Sequence, residues 1–410
     1  MKSSSFKSLL TTALALFVAS SSFAQKFEGL ALTPPMGWNS WNTFATNINE
    51  ELIIGVADAM IENGMRDAGY VHINLDDGWM MMERDENGDL VPDPEKFPNG
   101  LKHLADYLHE RGFKFGVYGD AGSKTCAGYP GNMGHEYQDA RKYAEWGVDY
   151  LKYDWCYTGE RNAKEAYTTM RDALYAAGRP VVFSMCEWGT AEPWLWAQDV
   201  GHLWRTTGDI ISCYDCTQEW SMGWKKILDL QMSLNPGLKG LEEYAGPGHW
   251  NDPDMMEVGN HGISLEESRS HFSLWCILAA PLIAGNDVRD MTPEVTAILT
   301  NAEAIAINQD PLGKQGTRIY QDDEKEIWIK YLENNDFAVC VLNASDEPRE
   351  TSLQWEQFQN HFSTWNTNYE IRDIWDAQNI GTTDEHAEVS KMLAPHAVML
   401  YRLSFLEKTK

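Results

Sequence analysis

Basic residues are scarce in this chain. Lys and Arg total 33 against 61 Asp and Glu, a formal charge of −28 over 410 residues. Such a surface repels phosphate backbones and anionic lipid headgroups, so neither nucleic acid nor a membrane surface is expected as a partner. Beyond the first two dozen residues no run of about 20 apolar residues could cross a bilayer. Also lacking are a Gly-x-Ser-x-Gly elbow, a Gly-rich phosphate loop and paired Cys or His spacings of the zinc type. Acyl-transfer triads therefore find no support, and neither a metal nor a cofactor is expected. Cysteine is sparse, and the odd count of 7 leaves at least one thiol unpaired within the chain.

Aromatic residues, by contrast, are plentiful. The chain has 17 Trp, 43% hydrophobic and 12% aromatic residues, a composition that excludes disorder, collagen and coiled coil. Indoles are favoured where an apolar body meets a wet edge, so part of this excess fits a sugar-binding surface. At the N-terminus, Lys2 and Lys7 precede the apolar run Leu9 to Ala19, and Ser22-Phe23-Ala24 presents small residues for a signal peptidase. Residues 1–24 read as a cleaved signal peptide of bacterial type, which makes the mature protein periplasmic or extracellular and permits disulfides.

Between Pro34 and Gly285, eight short apolar or mixed runs alternate with segments of helical periodicity. The strands expected are Met36 to Asn39, Val71 to Leu75, Phe113 to Tyr118, Tyr150 to Tyr153, Val181 to Met185, His202 to Arg205, Gly248 to Asn251 and Ile277 to Ile283. Amphipathic helices lie between them, for example at Leu52, Val56 and Met60, at Leu101, Leu104, Ala105 and Leu108, and at Ala163 to Leu174. Ser264 with Glu267 has the spacing of a capping box, and Thr292-Pro293 that of an N-cap followed by N1 proline. Eight β/α units make a closed (β/α)8 TIM barrel over residues 25–310. From 311 to 410 the runs Glu326 to Leu332, Phe337 to Asn343, Tyr369 to Trp375 and His396 to Leu403 have no helices between them. This is the pattern of an all-β sandwich domain, and without an acid/base cluster its role reads as structural or accessory.

Barrel chemistry sits where the carboxyl ends of the strands converge. Those ends carry Trp38 and Trp41; Asp76, Asp77 and Trp79; Tyr118 and Asp120; Lys152, Asp154 and Trp155; Cys186, Glu187 and Trp188; Arg205 and Asp209; and Asp252 and Asp254. Carboxylates and aromatics with almost no His suit glycoside cleavage, in which carboxylates grip hydroxyls, indoles cover ring C–H faces and two further carboxylates do the chemistry. A divalent ion on Asp252 and Asp254 is the weaker alternative.

At these residues the chain resembles a known family. Met36-Gly37-Trp38-Asn39-Ser40-Trp41, Asp76-Asp77-Gly78-Trp79, Lys152-Tyr153-Asp154, Cys186-Glu187-Trp188, Arg205-Thr206-Thr207-Gly208-Asp209 and Trp250-Asn251-Asp252-Pro253-Asp254-Met255 are similar, in order, to signature segments of the α-galactosidases (melibiases) of glycoside hydrolase family 27. The resemblance implies an exo-acting, retaining α-galactosidase acting on a carbohydrate substrate. It implies Asp154 as nucleophile and Asp209 as acid/base, with their carboxyl groups roughly 5 to 5.5 Å apart. Asp76 and Asp77 would hold the 4- and 6-hydroxyls and Trp38 would lie under the ring. Tyr118, Lys152, Glu187, Trp188 and Arg205 would surround the other hydroxyls, Asp254 and Met255 would complete the wall, and Cys186 would be a free thiol near the sugar. A Cys126–Cys156 disulfide is implied as well. Gly78 departs from many relatives, which carry Cys there, so a second family disulfide is missing. Cys213 and Cys216 form either a local disulfide or two inert thiols. Related specificities remain open: an α-N-acetylgalactosaminidase, against which the bulky Glu187 argues, or a β-L-arabinopyranosidase. A galactose-binding lectin would not need both Asp154 and Asp209.

Overall fold

The computed structural model describes residues 26–234, 240–358 and 368–406. The expected signal segment lies outside the described residues. The barrel strands are β1 (Met36–Asn39), β2 (His72–Asn74), β3 (Lys114–Asp120), β4 (Tyr150–Asp154), β5 (Val182–Cys186) and β6 (Leu203–Arg205), then β9 (Trp250–Asp252) and β10 (Leu282–Ala284). Their order is β10-β1-β2-β3-β4-β5-β6-β9, every neighbouring pair parallel. The ring closes just past β9, where Met256 bridges Ala284 in parallel, its N–H donating to the Ile283 carbonyl at 2.8 Å.

Helices α1 (Trp41–Phe44), α2 (Glu50–Glu62), α3 (Gly100–Glu110), α4 (Glu136–Trp146), α5 (Ala163–Ala177), α6 (Trp224–Ser233), α7 (Leu265–Ile277), α8 (Pro293–Leu299) and α9 (Ala302–Asn308) complete the barrel. Local chemistry sets their ends. The Asn49 and Asn162 side chains cap α2 and α5 by accepting from the Leu52 and Glu165 amides, and Gly178 ends α5 in the left-handed region. Ser264 and Glu267 form the reciprocal capping box, and Thr292 caps α8 ahead of Pro293. The eighth strand is a correction. Ile277 closes α7 instead of opening a strand, and β10 begins only after Pro281. Every α7 residue from Ser270 to Ile277 is buried, so the apolar end of the helix runs on into the strand with no period to divide them.

Two short strands, β7 (Asp209–Ile211) and β8 (Ser221–Gly223), pair in parallel above β6. The C-terminal part holds β11 (Thr317–Gln321), β12 (Lys325–Tyr331), β13 (Phe337–Asn343), β14 (Arg349–Gln354), β15 (Asn368–Asp373), β16 (Gln378–Thr382), β17 (Glu388–Leu393) and β18 (Val398–Leu406). A six-stranded antiparallel sheet, β11-β12-β13-β18-β15-β16, is faced by the β14–β17 pair. Its central strands β12 and β13 bury both faces. Ile327, Ile329, Val339 and Val341 enter the sandwich core, whereas Trp328, Ala338, Cys340 and Leu342 join the core shared with the barrel. That explains why β13 is buried at every residue. Lys330 fastens the two parts: its buried Nζ donates to the carbonyls of Cys276, Ile307 and Asn308 at 3.2, 2.5 and 3.3 Å. These oxygens lie at the C-termini of α7 and α9, where carbonyls lack helical partners and a cation is favoured.

Candidate active site

Parallel pairing sets Asp120 level with Asp154, and Asp154 level with Cys186, across β3, β4 and β5. The carboxyl ends of the strands thus deliver their polar residues to one mouth. A cavity of about 650 Å³ opens there, with Asp76, Asp77, Tyr118, Lys152, Asp154, Trp188, Arg205, Asp209, Asp254 and Met255 all on its wall.

Asp154 is buried. It accepts from the Tyr118 hydroxyl at 3.0 Å and from the Trp155 amide at 2.9 Å. Burial is the largest influence on its carboxyl and raises it; Lys152 pulls it back and Asp209 pushes it up again, leaving it at about 6. Lys152 bonds elsewhere, donating to Asp76 Oδ2 at 2.7 Å. Burial is the largest influence on that ammonium and lowers it, but Asp76, Cys186, Asp154 and Asp254 together outweigh burial and hold the lysine well above its ordinary value. Asp76 also accepts from Asn39 at 2.8 Å. Asp77 accepts the amides of Gly78 and Ala127, both at 2.8 Å, and burial lifts its carboxyl to about 6.

The Asp209 carboxylate is half exposed, at 52%, and takes a 3.0 Å contact from Arg205 Nη2. The same guanidinium nitrogen lies 2.9 Å from Asp254. Asp254 also accepts from the Ile210 and Met255 amides at 2.9 and 2.8 Å. Its φ of 82° and the φ of 58° at Trp188 are sparsely populated backbone states held by their surroundings, a form of strain common at functional sites.

Three expected contacts lie off the cavity wall. Trp38 is fully buried and donates its indole N–H to the Asn286 carbonyl at 2.8 Å; Trp41 takes the wall position. Glu187 turns toward its own loop, accepting from Thr190 Oγ1 and the Ala191 amide at 2.9 and 2.6 Å, and its Oε1 is buried with no partner. Cys186 is a free, buried thiol beneath the floor, 3.5 Å from Arg205 Nη1. Conversely, Trp220, Glu257, Asn260 and His261 line the cavity without having been singled out in the sequence. They sit in loops with no periodic pattern, and only the neighbouring Cys213-x-x-Cys216 hinted at an ordered segment.

Cys126 and Cys156 are bonded, as are Cys213 and Cys216. Among the described residues, the one cluster of potential metal ligands joins Asp120 to Cys126 and Cys156, whose sulfurs are already tied to each other. At Gly78 φ is +91° and an added Cβ would fall 2.8 Å from the Thr46 side chain, so the position as folded here suits glycine.

A closed β/α barrel whose mouth gathers buried and half-exposed carboxylates beside indoles is the site of a glycoside hydrolase. Comparison with known proteins gives the family. Residues 33–310 match the model described as alpha galactosidase A, and residues 322–403 the alpha galactosidase C-terminal beta sandwich domain. An alpha-galactosidase A of Cellvibrio japonicus is 51% identical over 402 residues, covering 95% of this chain and 96% of its own. The alpha-galactosidase I structure from Mortierella vinacea superposes with a TM-score of 0.85 at 34% identity, over 92% of this chain and 98% of that one. An alpha-galactosidase from Saccharomyces cerevisiae solved with raffinose gives 0.86 at 31% identity, over 92% and 99%. The chain belongs to the α-galactosidase (melibiase) family, and it is a glycoside hydrolase of α-galactosidase type.

Proposed function

We propose that the chain removes terminal, non-reducing α-D-galactosyl residues by double displacement, with Asp154 as nucleophile and Asp209 as acid and then base. The observation that carries this reading is the contrast between two carboxylates on one cavity wall: Asp154 buried and hydrogen-bonded in place, Asp209 half exposed and tethered by Arg205. In the first step an Asp154 oxygen attacks the anomeric carbon. The glycosidic C–O bond breaks, and Asp209 gives its proton to the departing oxygen. In the second step Asp209 takes a proton from water, whose oxygen displaces Asp154, so the anomeric configuration is retained.

Asp76 and Asp77 are the proposed ligands of the 4- and 6-hydroxyls. Their oxygens are already oriented by Lys152, Asn39 and backbone amides, so a sugar with a misplaced hydroxyl would leave buried groups unpaired. Tyr118, Lys152, Trp188, Arg205, Asp254 and Met255 complete the pocket, while Glu187 stays in its own loop off the wall. Export follows from cleavage after Ala24; among the described residues no helix is long and apolar enough to cross a membrane.

The test is hydrolysis of aryl α-D-galactoside, α-N-acetylgalactosaminide, β-L-arabinopyranoside and α-D-glucoside, with the product anomer followed by NMR. Preference for the α-galactoside with initial release of α-galactose is expected. Preference for another sugar would overturn the specificity, and initial β-galactose the double displacement. Asp154→Ala should abolish turnover in a folded protein; wild-type rates would remove it from the nucleophile role. Asp209→Asn should lose more activity on substrates with poor leaving groups than on activated aryl galactosides. Equal losses would count against the acid role.

A further inference from the structure

We propose that Trp220 is a stacking platform for the first sugar of the aglycone, a neutral pyranose. This rests on the reading of Asp209 as the group that protonates the departing oxygen. Trp220 is 76% exposed, the most exposed large apolar side chain among the described residues, yet it lines the same cavity as Asp209. An indole exposed beside a pocket presents a flat apolar face that a sugar ring can cover. Its carbonyl accepts the Asp209 N–H at 3.2 Å, which ties the ring's backbone to the residue facing the leaving group.

The segment that presents the ring is held in place before any ligand arrives. β7 and β8 pair from Asp209–Ser221 to Ile211–Gly223, and Cys213–Cys216 closes the loop between them. Tyr214 stacks on His396 of the sandwich with ring centroids 3.5 Å apart. Ser212 packs against the neighbouring turn so closely that a Cβ at Gly262 would lie 2.1 Å from its carbonyl oxygen. That turn brings Asn260 and the exposed His261 to the same wall. An indole, an amide and an imidazole on one cavity wall match a pyranose, which offers one apolar C–H face and a rim of hydroxyls. The charge of −28 disfavours an acidic sugar. A preformed platform also recovers more affinity per contact than a loop that must order on binding.

The test compares kcat/KM on α-galactosyl fluoride, which has no aglycone ring, with kcat/KM on raffinose, for the wild type, Trp220→Ala and Trp220→Phe. Both constants report the first irreversible step, so aglycone contacts appear in their ratio. Trp220→Ala should lower the raffinose-to-fluoride ratio about tenfold, and Trp220→Phe should restore most of it. A ratio unmoved in Trp220→Ala, with both substrates unaffected or falling together, would overturn the platform. Wild-type inactivity on the fluoride would overturn the galactosidase reading and the platform with it.

Discussion

Asp154 and Asp76 are both buried carboxylates with opposite roles in stability. The Asp154 carboxyl sits at about 6 because burial outweighs Lys152, so its charge at neutral pH destabilises the fold. Replacing it with Asn should abolish activity yet stabilise the protein by roughly 1–3 kcal/mol at pH 7. The gain should fade as the pH falls through 6, where the wild-type carboxyl takes up its own proton. Denaturant titrations of both proteins at pH 7.5 and 5 check this, and a variant less stable at both values would contradict it. Asp76 is the reverse case, since it partners the buried Lys152 ammonium at 2.7 Å. Asp76→Ala should destabilise by about 3–5 kcal/mol, because the lysine is left unpaired. Asp76→Asn keeps an acceptor and should lose less. Equal unfolding midpoints for the two variants would show that the amide acceptor does not offset the lost charge, and midpoints equal to the wild type would show that the ion pair is not what matters.

Among the elements, the segment between β3 and β4 shows how connection and site depend on each other. The Cys126–Cys156 disulfide spans 30 residues and ties the residues after Asp154 to the turn whose Ala127 amide orients Asp77. Cys126→Ser should destabilise by roughly 3–4 kcal/mol in the chain-entropy model. It should also raise KM for galactosides, because Asp77 loses its fixed donor. Unfolding midpoints and Michaelis constants test both parts, and an unchanged KM would detach the disulfide from recognition. Elements with clear periods and caps, such as α2, α5 and α7, were legible in the sequence at their starts. The eighth strand was misplaced inside a continuous apolar run. β7 and β8 were not anticipated, since three-residue strands owe their pairing to the loop above the barrel and carry no alternation of their own.

Across the whole molecule, acidity separates stability from activity. Burial lifts Asp77, Asp154 and Asp252 to about 6 and Glu187 and Glu257 to about 7. All five stand above their ordinary values, so each binds its proton in the native state before the unfolded chain does. The buried imidazoles of His72 and His202, lowered to about 4, and of His271, lowered to about 3, act in the opposite direction below about 6.5. Stability should therefore rise as pH falls from 8 to 7, ahead of the histidines, while kcat/KM falls only below about 6 as Asp154 is protonated. Parallel pH profiles of Tm and kcat/KM check this; a Tm that falls between pH 8 and 7 would contradict it.

The sequence by itself determined the architecture and the chemical inventory. The alternation of short apolar runs with capped amphipathic helices specified the barrel, and the run of strands after it the sandwich. The end of β4 and the residues just after β2 and β6 supplied Asp154, Asp76 and Asp209, because strand ends are local features. Only the tertiary structure decided which side chains face the cavity. Trp38 and Trp41 are three residues apart, yet the first is buried against Asn286 and the second lines the wall. It also decided that Lys152 pairs with Asp76 instead of Asp154, and that Trp220 stands beside Asp209. Each of these depends on contacts between segments distant in the chain, and their distances and burial fix the charge and exposure that residue type leaves open.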